Sequence, residues 1–506
     1  MSKDKEKSFR PKPRIPRGLR DLFARDLFTR TRMLATIRDV YELYGFEPLE
    51  TPALEYADAL GKFLPDVDRP AGGVFSLQDD DEQWLALRYD LTAPLARLVA
   101  ERFEDLPKPF RRYQSGPVWR NEKPGPGRFR EFYQFDADTV GTPSMAAEAE
   151  LCAVLCDSFE ALGIARGDYV VRINNRKLLT ALLETLGMNG ESKADNARRL
   201  IILRAIDKLD RLGEAGVAAL LGAGRRDESG DFTKGAELKP AQIKAVIDFL
   251  TGEAVSGASL RKNIEKQLGE SPTGQAGLAE LEEISALLGA AGFGEDRIVF
   301  DPGVVRGLDY YTGPVIEAQL TFDTINENGD TVRFGSVAGG GRYDGLVSRF
   351  KGIEIPATGV SIGVDRLAAA LNVMGRDMGE TQLAPVVVLV LDQNRLSDYQ
   401  AMAFELRRAG IRAELYLGGA GMRAQLKYAD KRRAPIAVIE GEDERAQGAV
   451  TLKDLRLGSV MAAQIEDNAT WREGQPAQMS VPRAKLVAAV RDMLARAAGK
   501  PGKDVS

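Results

Sequence analysis

The sequence predicts an α+β fold: a strand-rich core with a helical insertion, followed by a small α/β unit. Three observations predict it. Residues 108–140 carry two extended runs separated by the turn Pro124-Gly125-Pro126-Gly127. From about 186 to 292 the texture changes to Ala, Leu, Glu, Lys and Arg at helical spacing, with loops such as GAGRRDESGD. From about Ala384, PVVVLVL, a helix to Ala409, AELYL, a second helix and PIAVIEG alternate as β-α-β-α-β.

The elements follow in order. Residues 1–16 are rich in Lys, Arg and Pro and read as a flexible basic tail. A helix is predicted over 26–44, because Leu27, Met33, Leu34, Ile37, Val40 and Tyr41 recur near helical spacing and Gly45 follows. Residues 46–54 hold Pro48 and Pro52 and read as extended. Amphipathic helices are predicted over 91–103 and 145–162. After the insertion, strand signals return at 298–300 and 310–321. A glycine-rich run at 338–341 and a helix over 365–374 complete the core. This divides the chain into a tail (1–16), core (17–185), insertion (186–292), core (293–380), α/β unit (384–490) and a C-terminal helix end with a tail (491–506).

Composition excludes several chemistries. The 506 residues include no histidine, where ordinary usage of roughly 2% gives about ten. Ser-His-Asp and Cys-His catalysis and imidazole metal ligands are therefore absent. The two cysteines, Cys152 and Cys156, are too few for a disulfide framework or a Cys-rich zinc site, and their spacing suits one helix face in a core. No apolar run is long enough to span a bilayer, and the N-terminus lacks the apolar stretch of a secretory signal, so a cytoplasmic protein without membrane contact is expected. A net charge of -5 gives no global attraction to nucleic acid, DNA included, although a local basic patch is compatible with it.

The most informative segment is RFREFYQFDAD, 128–138. Its odd positions, apart from Glu131, can pack on a core, whereas its even positions align Arg128, Arg130, Phe132, Gln134, Asp136 and Asp138. A solvated strand face is the alternative. Against it stand the lone Phe between Arg and Gln and the approach of Arg120 across the turn. Such a face suits an anionic, planar, amine-bearing ligand: guanidinium forks match phosphates, a Phe stacks on a purine, and Gln and Asp accept N–H groups. RGLDYYTG (306–313) crowds a cation, an acid and two phenols, and Arg366 opens a helix after ATGVSIG.

These segments resemble a known family. FRRYQSGPVWRNE followed by GRFREFYQFD is similar to motif 2 of class II aminoacyl-tRNA synthetases. YGFEP…TP (44–52) is similar to motif 1 and GVSIGVDRL to motif 3. RGLDYY resembles the histidyl-tRNA synthetases within that class, as do LRYDLT (87–92) and GGRYDGL (340–346). LKYADKRRAPIAVIEGEDE…VTLKDL resembles their anticodon-binding domain. The likeness runs in order over about 17–490. It implies an antiparallel-sheet catalytic core, an ATP-dependent histidine–tRNA ligase using Mg²⁺, and a homodimer joined near Pro52.

The resemblance also implies roles. Arg120 would grip the ATP α-phosphate and Arg128 the outer phosphates, with Glu122 also at the ATP. Phe132 and Arg366 would sandwich the adenine. Arg306 would hold the α-phosphate and the amino acid carboxylate together. Asp90, Thr92 and Gln134 would take the α-amino group. Asp138 and Tyr311 would bind the imidazole nitrogens, in a pocket shaped by Tyr310 and Tyr343. Lys123 would touch the tRNA acceptor end. Arg423, Lys427 and Lys431, four residues apart on a predicted helix, would follow tRNA phosphates, although a merely solvated face is the competing reading. Asp90, Asp138 and Asp365 stand where many bacterial members have Glu, so their reach is shorter.

Two rivals remain. One is a noncatalytic relative sensing histidine or tRNA; such chains tend to lose the ATP-binding arginines or the anticodon domain. The other is a dinucleotide fold, suggested by GAGMRA (419–424) after a strand, but too few residues follow to complete one.

Overall fold

The computed structural model describes residues 11–497 except 62, 65–68, 71–72, 125–128, 189–191, 227–229, 253–260, 263, 266–267, 269–270, 308–310, 326–330, 375–383 and 457–476. It forms two compact units, 1–377 and 378–506.

The first unit is built on an eight-stranded sheet. In chain order its strands are β1 (Glu47–Pro48), β2 (Phe110–Trp119), β3 (Glu131–Val140), β4 (Tyr169–Asn175), β5 (Ile298–Phe300), β6 (Pro314–Ile325), β7 (Thr331–Arg342) and β8 (Ala357–Gly363). Their spatial order is β1-β2-β3-β8-β7-β6-β4-β5. The interior pairs are antiparallel, and only β1 on β2 and β5 on β4 are parallel. A separate three-stranded sheet joins Leu54–Tyr56, Trp84–Leu87 and Ser76–Gln78.

Helix α1 (Ala24–Leu43) buries Thr29, Met33, Ile37, Val40 and Tyr41, one stripe at helical spacing. Tyr41 meets Phe135 of β3 edge-on at 4.9 Å, and Tyr113 and Phe46 complete the aromatic cluster. This is the apolar face expected of the odd positions of β3: Phe135 and Ala137 are fully buried. Helices α2 (Thr92–Glu101) and α3 (Ala146–Ala161) match their predicted positions, and both cysteines lie buried and free in α3. Helix α4 (Arg176–Thr185) follows β4, with Asn175 accepting from the Lys177 N–H as its cap.

The insertion contains α5 (Lys193–Ile206), α6 (Leu209–Leu221) and α7 (Pro240–Leu250), together with a two-stranded hairpin, Gly224–Arg226 with Phe232–Lys234, that helical texture did not announce. Its last helix, α8 (Pro272–Ala290), differs more from the sequence reading, because it packs on α3 and α4 of the core. The Asn175 side chain donates to the Gly277 carbonyl at 3.2 Å and to Glu280 at 2.7 Å, and Lys177 pairs with Glu280. These partners lie about a hundred residues apart, so helical periodicity carries no trace of them. Helix α9 (Val364–Val373) then follows β8.

The second unit holds β9 (Val386–Val388), α10 (Leu396–Arg408), β10 (Ala413–Leu415), α11 (Met422–Lys431), β11 (Ile436–Ile439), β12 (Ala449–Asp454), β13 (Gln478–Pro482) and α12 (Leu486–Ala497). Both faces of its sheet are covered: Val386 and Val388 pack with Tyr399, Leu406 and Val490, while Val387 and Leu389 pack with Ala429 and Ala437. That explains the unbroken apolar run of β9. The order β10-β9-β11-β12-β13 is parallel as far as β11 and antiparallel beyond it. GAGMRA therefore opens α11 in a sheet that is not doubly wound.

Candidate active site

The site is organised by register. Across β2 and β3, Arg112 stands opposite Asp138 and Gln114 opposite Asp136. On the other side, Gly359 of β8 stands opposite Asp138 and Ser361 opposite Asp136. Gln134, Asp136 and Asp138, the even face singled out in the sequence, are all buried together. Gly359 is required here, since a Cβ at that position would overlap the Asp138 carboxylate.

Asp138 is held from two sides. Arg112 Nη2 lies 2.7 Å from its Oδ2, and the Tyr343 hydroxyl donates to its Oδ1. Arg112 also donates to the Leu91 carbonyl at 3.0 Å, which ties β2 to the start of α2. Burial pushes the Asp138 carboxyl up, against the pull of Arg112 and Tyr343. Asp136 is less well compensated. Burial first, then repulsion from Asp138, pushes it up to about 7, and Arg112 and a hydrogen bond from Ser361 only partly offset this. Ser361 accepts from Gln134 Nε2 at 2.7 Å. With the Gln134 amide N–H engaged there, the buried Oε1 of Gln134 and Oδ1 of Asp136 have no hydrogen-bond partner among the described residues. They are acceptors suited to a cationic amine or a ring N–H.

Around this floor the other residues gather. Asp90 accepts the Ala93 N–H at 2.9 Å at the head of α2, where Thr92 is the first helical residue, and Asp90 acts electrostatically on Asp136, Asp138 and Tyr311. The Tyr311 hydroxyl is pushed up chiefly by burial, and Arg306 opposes that shift. Arg306 reaches Glu317 Oε1 at 3.0 Å and donates to Ser336 at 2.7 Å. Its side chain stays 46% exposed whereas Glu317 is 7% exposed, so a buried acid aims a cation outward.

At the other end of β3, Arg120 donates to the Tyr89 carbonyl at 3.2 Å, and its guanidinium lies 5.0 Å from the Phe132 ring. Asp365, in the first turn of α9, accepts the Tyr133 N–H at 2.7 Å, which brings the start of α9, and with it exposed Arg366, to the strand that carries Phe132. Glu122 and Lys123 are exposed on the loop between β2 and β3. Arg128 and Tyr310 lie outside the described residues. Arg423, Lys427 and Lys431 are exposed on α11 of the second unit, beside exposed Asp430, while neighbouring Arg432 is tied to Glu414.

Arg112, Ser361 and Glu317 were not singled out in the sequence, and Asp136 was placed on the polar face without a role. One signal existed: Glu317 is an acid within the otherwise apolar run PVIEA. Arg112 reads only as half of a dibasic pair until the register gives it a partner.

Comparison with known proteins identifies the family. Residues 18–367 match the family model described as histidyl-tRNA synthetase, and residues 385–491 match the anticodon binding domain model. The chain is 58% identical to a histidine–tRNA ligase of Brucella ovis over 492 residues, covering 97% of each chain. It is also 58% identical to one of Cereibacter sphaeroides over 499 residues, covering 98% of this chain and all of that one. The crystal structure of histidyl-tRNA synthetase from Nostoc sp. PCC 7120 superposes with a TM-score of 0.69 at 30% identity, covering 95% of this chain and 99% of that one.

Proposed function

The chain belongs to the histidyl-tRNA synthetase family, and from that premise we propose how its own residues perform the family's reaction. The activity is that of a histidine–tRNA ligase: L-histidine is activated with ATP to histidyl-adenylate, and the histidyl group passes to the 3′ end of tRNA. A histidine carboxylate oxygen attacks the ATP α-phosphorus in line and pyrophosphate leaves. A terminal ribose hydroxyl of tRNA-His then attacks the acyl carbon and AMP leaves. Neither step needs a protein imidazole, consistent with a chain that has none.

In this reading Gln134 Oε1, Asp90 and Thr92 receive the α-ammonium group, and Asp138 and Tyr311 address the ring nitrogens, with Tyr310 and Tyr343 shaping the pocket. Arg306, aimed by Glu317, sits between the carboxylate and the α-phosphate, which Arg120 also neutralises. Phe132 and Arg366 enclose the adenine, and Arg128 and Glu122 attend the phosphates. The observation that supports the pocket most directly is the buried set of Arg112, Asp138 and Tyr343 beside the unpartnered acceptors of Gln134 and Asp136. A site of that kind rejects amino acids lacking the matching donors by about 10⁴-fold, because its buried polar groups would stay unpaired.

Mg²⁺ is expected as part of the MgATP substrate. Among the described residues no group of three Asp, Glu or Cys is placed to hold a resident ion, and Mg²⁺ commonly binds through phosphates and water with only one or two carboxylates. A homodimer is supported by the exposed apolar side chains Leu54 and Tyr56 next to Pro52. Arg423, Lys427 and Lys431, with Lys123, are the proposed tRNA contacts. The insertion 186–292 is read as interrupting the core of 17–185 and 293–380, with its last helix α8 seated on that core, and 384–490 as the anticodon-binding unit. No described helix is long and apolar enough to cross a membrane; a cytoplasmic setting is part of this proposal. Charging total tRNA with each amino acid in turn tests the function: histidine alone should be accepted, and charging with another amino acid, or with none, would overturn it.

A further inference from the structure

We propose that Arg20 is a positioning residue for ATP, a strap that fixes the two walls of the adenine site relative to each other; this rests on reading Phe132 and Arg366 as those walls. Asp365 is the junction. Its Oδ2 accepts the backbone N–H of Tyr133, the residue after Phe132, at 2.7 Å. Its own backbone leads directly into Arg366 in the first turn of α9. One carboxylate therefore connects both walls, and its remaining oxygen, Oδ1, accepts from Arg20 Nη2 at 2.9 Å.

Arg20 does more than neutralise Asp365. Its guanidinium lies 4.0 Å from the centre of the Phe129 ring, where the chain re-enters β3 from the loop that carries Glu122 and Lys123. Two residues earlier, the Gly18 carbonyl accepts the Arg130 N–H at 2.8 Å. Gly18 has φ +83°, and a Cβ there would come within 2.8 Å of the Arg130 side chain, so glycine lets the strap lie this close. Arg130 in turn donates through Nε to the Glu122 carbonyl at 2.9 Å, on the opposite arm of the loop. Residues 18–20 thus brace both loop arms, the start of β3 and the start of α9.

A planar fork is needed for this, because one face must lie on Phe129 while an edge meets Asp365; a lysine ammonium can pair with the acid but cannot stack as a plane. Without Arg20, Asp365 keeps its bond to the Tyr133 N–H and the fold persists, but the link through the guanidinium from Asp365 to Phe129 is lost. Misplacement of binding groups by about 1 Å costs up to roughly 10²-fold in rate.

The test is histidine-dependent pyrophosphate exchange with the full chain carrying Arg20→Ala or Arg20→Lys, with Arg366→Ala in parallel. Arg20→Ala should raise KM for ATP by about ten-fold while KM for histidine stays within two-fold (roughly the noise of such comparisons), and Arg20→Lys should recover only part of the loss. A merely structural role would move both KM values together. If Arg366→Ala raises KM for ATP and neither Arg20 variant does, the strap is overturned and the adenine reading stands. If Arg366→Ala leaves KM for ATP unchanged, the adenine reading falls and the strap with it.

Discussion

Arg112 and Asp138 face each other across β2 and β3, both almost completely buried, with Nη2 and Oδ2 2.7 Å apart. Neither charge reaches solvent, so each depends on the other. Removing one partner of such a pair costs about 3–5 kcal/mol, since the survivor is left charged and unpaired. Arg112→Leu should lower the urea midpoint accordingly, and Arg112→Leu combined with Asp138→Asn should recover part of the loss. Equal stability of the single variant and the wild type would show that the pair carries no such weight.

Asp136 has the opposite problem, a carboxyl pushed up to about 7 from an ordinary 3.8. A carboxyl whose pKa rises on folding contributes stability that is complete below its unfolded pKa and lost as pH rises through the folded value. Relative to the wild type, Asp136→Asn should therefore become progressively more stable between pH 4 and about 7 and show no further gain above that. A constant difference across this range would contradict the shift. Because the chain contains no histidine, ¹⁵N-labelled substrate histidine also reports its bound imidazole without background.

Glu317 aims Arg306 from a buried position. Glu317→Gln keeps the volume but removes the charge that orients the guanidinium. The rate of pyrophosphate exchange should fall by about ten- to a hundred-fold, in line with losing oriented electrostatic stabilisation, while the melting temperature changes little. An unchanged rate would remove Glu317 from the account.

The stripe of Arg423, Lys427 and Lys431 on α11 is exposed. If each meets a tRNA phosphate, replacing all three with Ala should reduce the salt slope of tRNA binding by about 2 and leave adenylate formation unchanged. An unaltered slope would identify the stripe as a solvated helix face.

Much of this was legible in the sequence because its signals are local. The apolar stripe of α1, the two-faced pattern of β3 and the unbroken apolar run of β9 each follow from the period of one element. What stayed hidden depends on register or on distant partners. Arg112 acquires its role only from the pairing of β2 with β3. Helix α8 joins the core through Asn175 and Lys177, about a hundred residues away. Arg20 and Asp365, 345 residues apart, meet only in the fold. The sequence motifs named the residues that face the ligand more readily than those that hold them in place.

The central claim is that Arg306, held by Glu317, supplies the charge on which histidine activation depends. Histidine-dependent exchange of labelled pyrophosphate into ATP measures that step directly. The account predicts robust exchange by the wild type and a loss of about 10²–10³-fold in Arg306→Ala. Exchange by that variant within a few-fold of the wild type would contradict it.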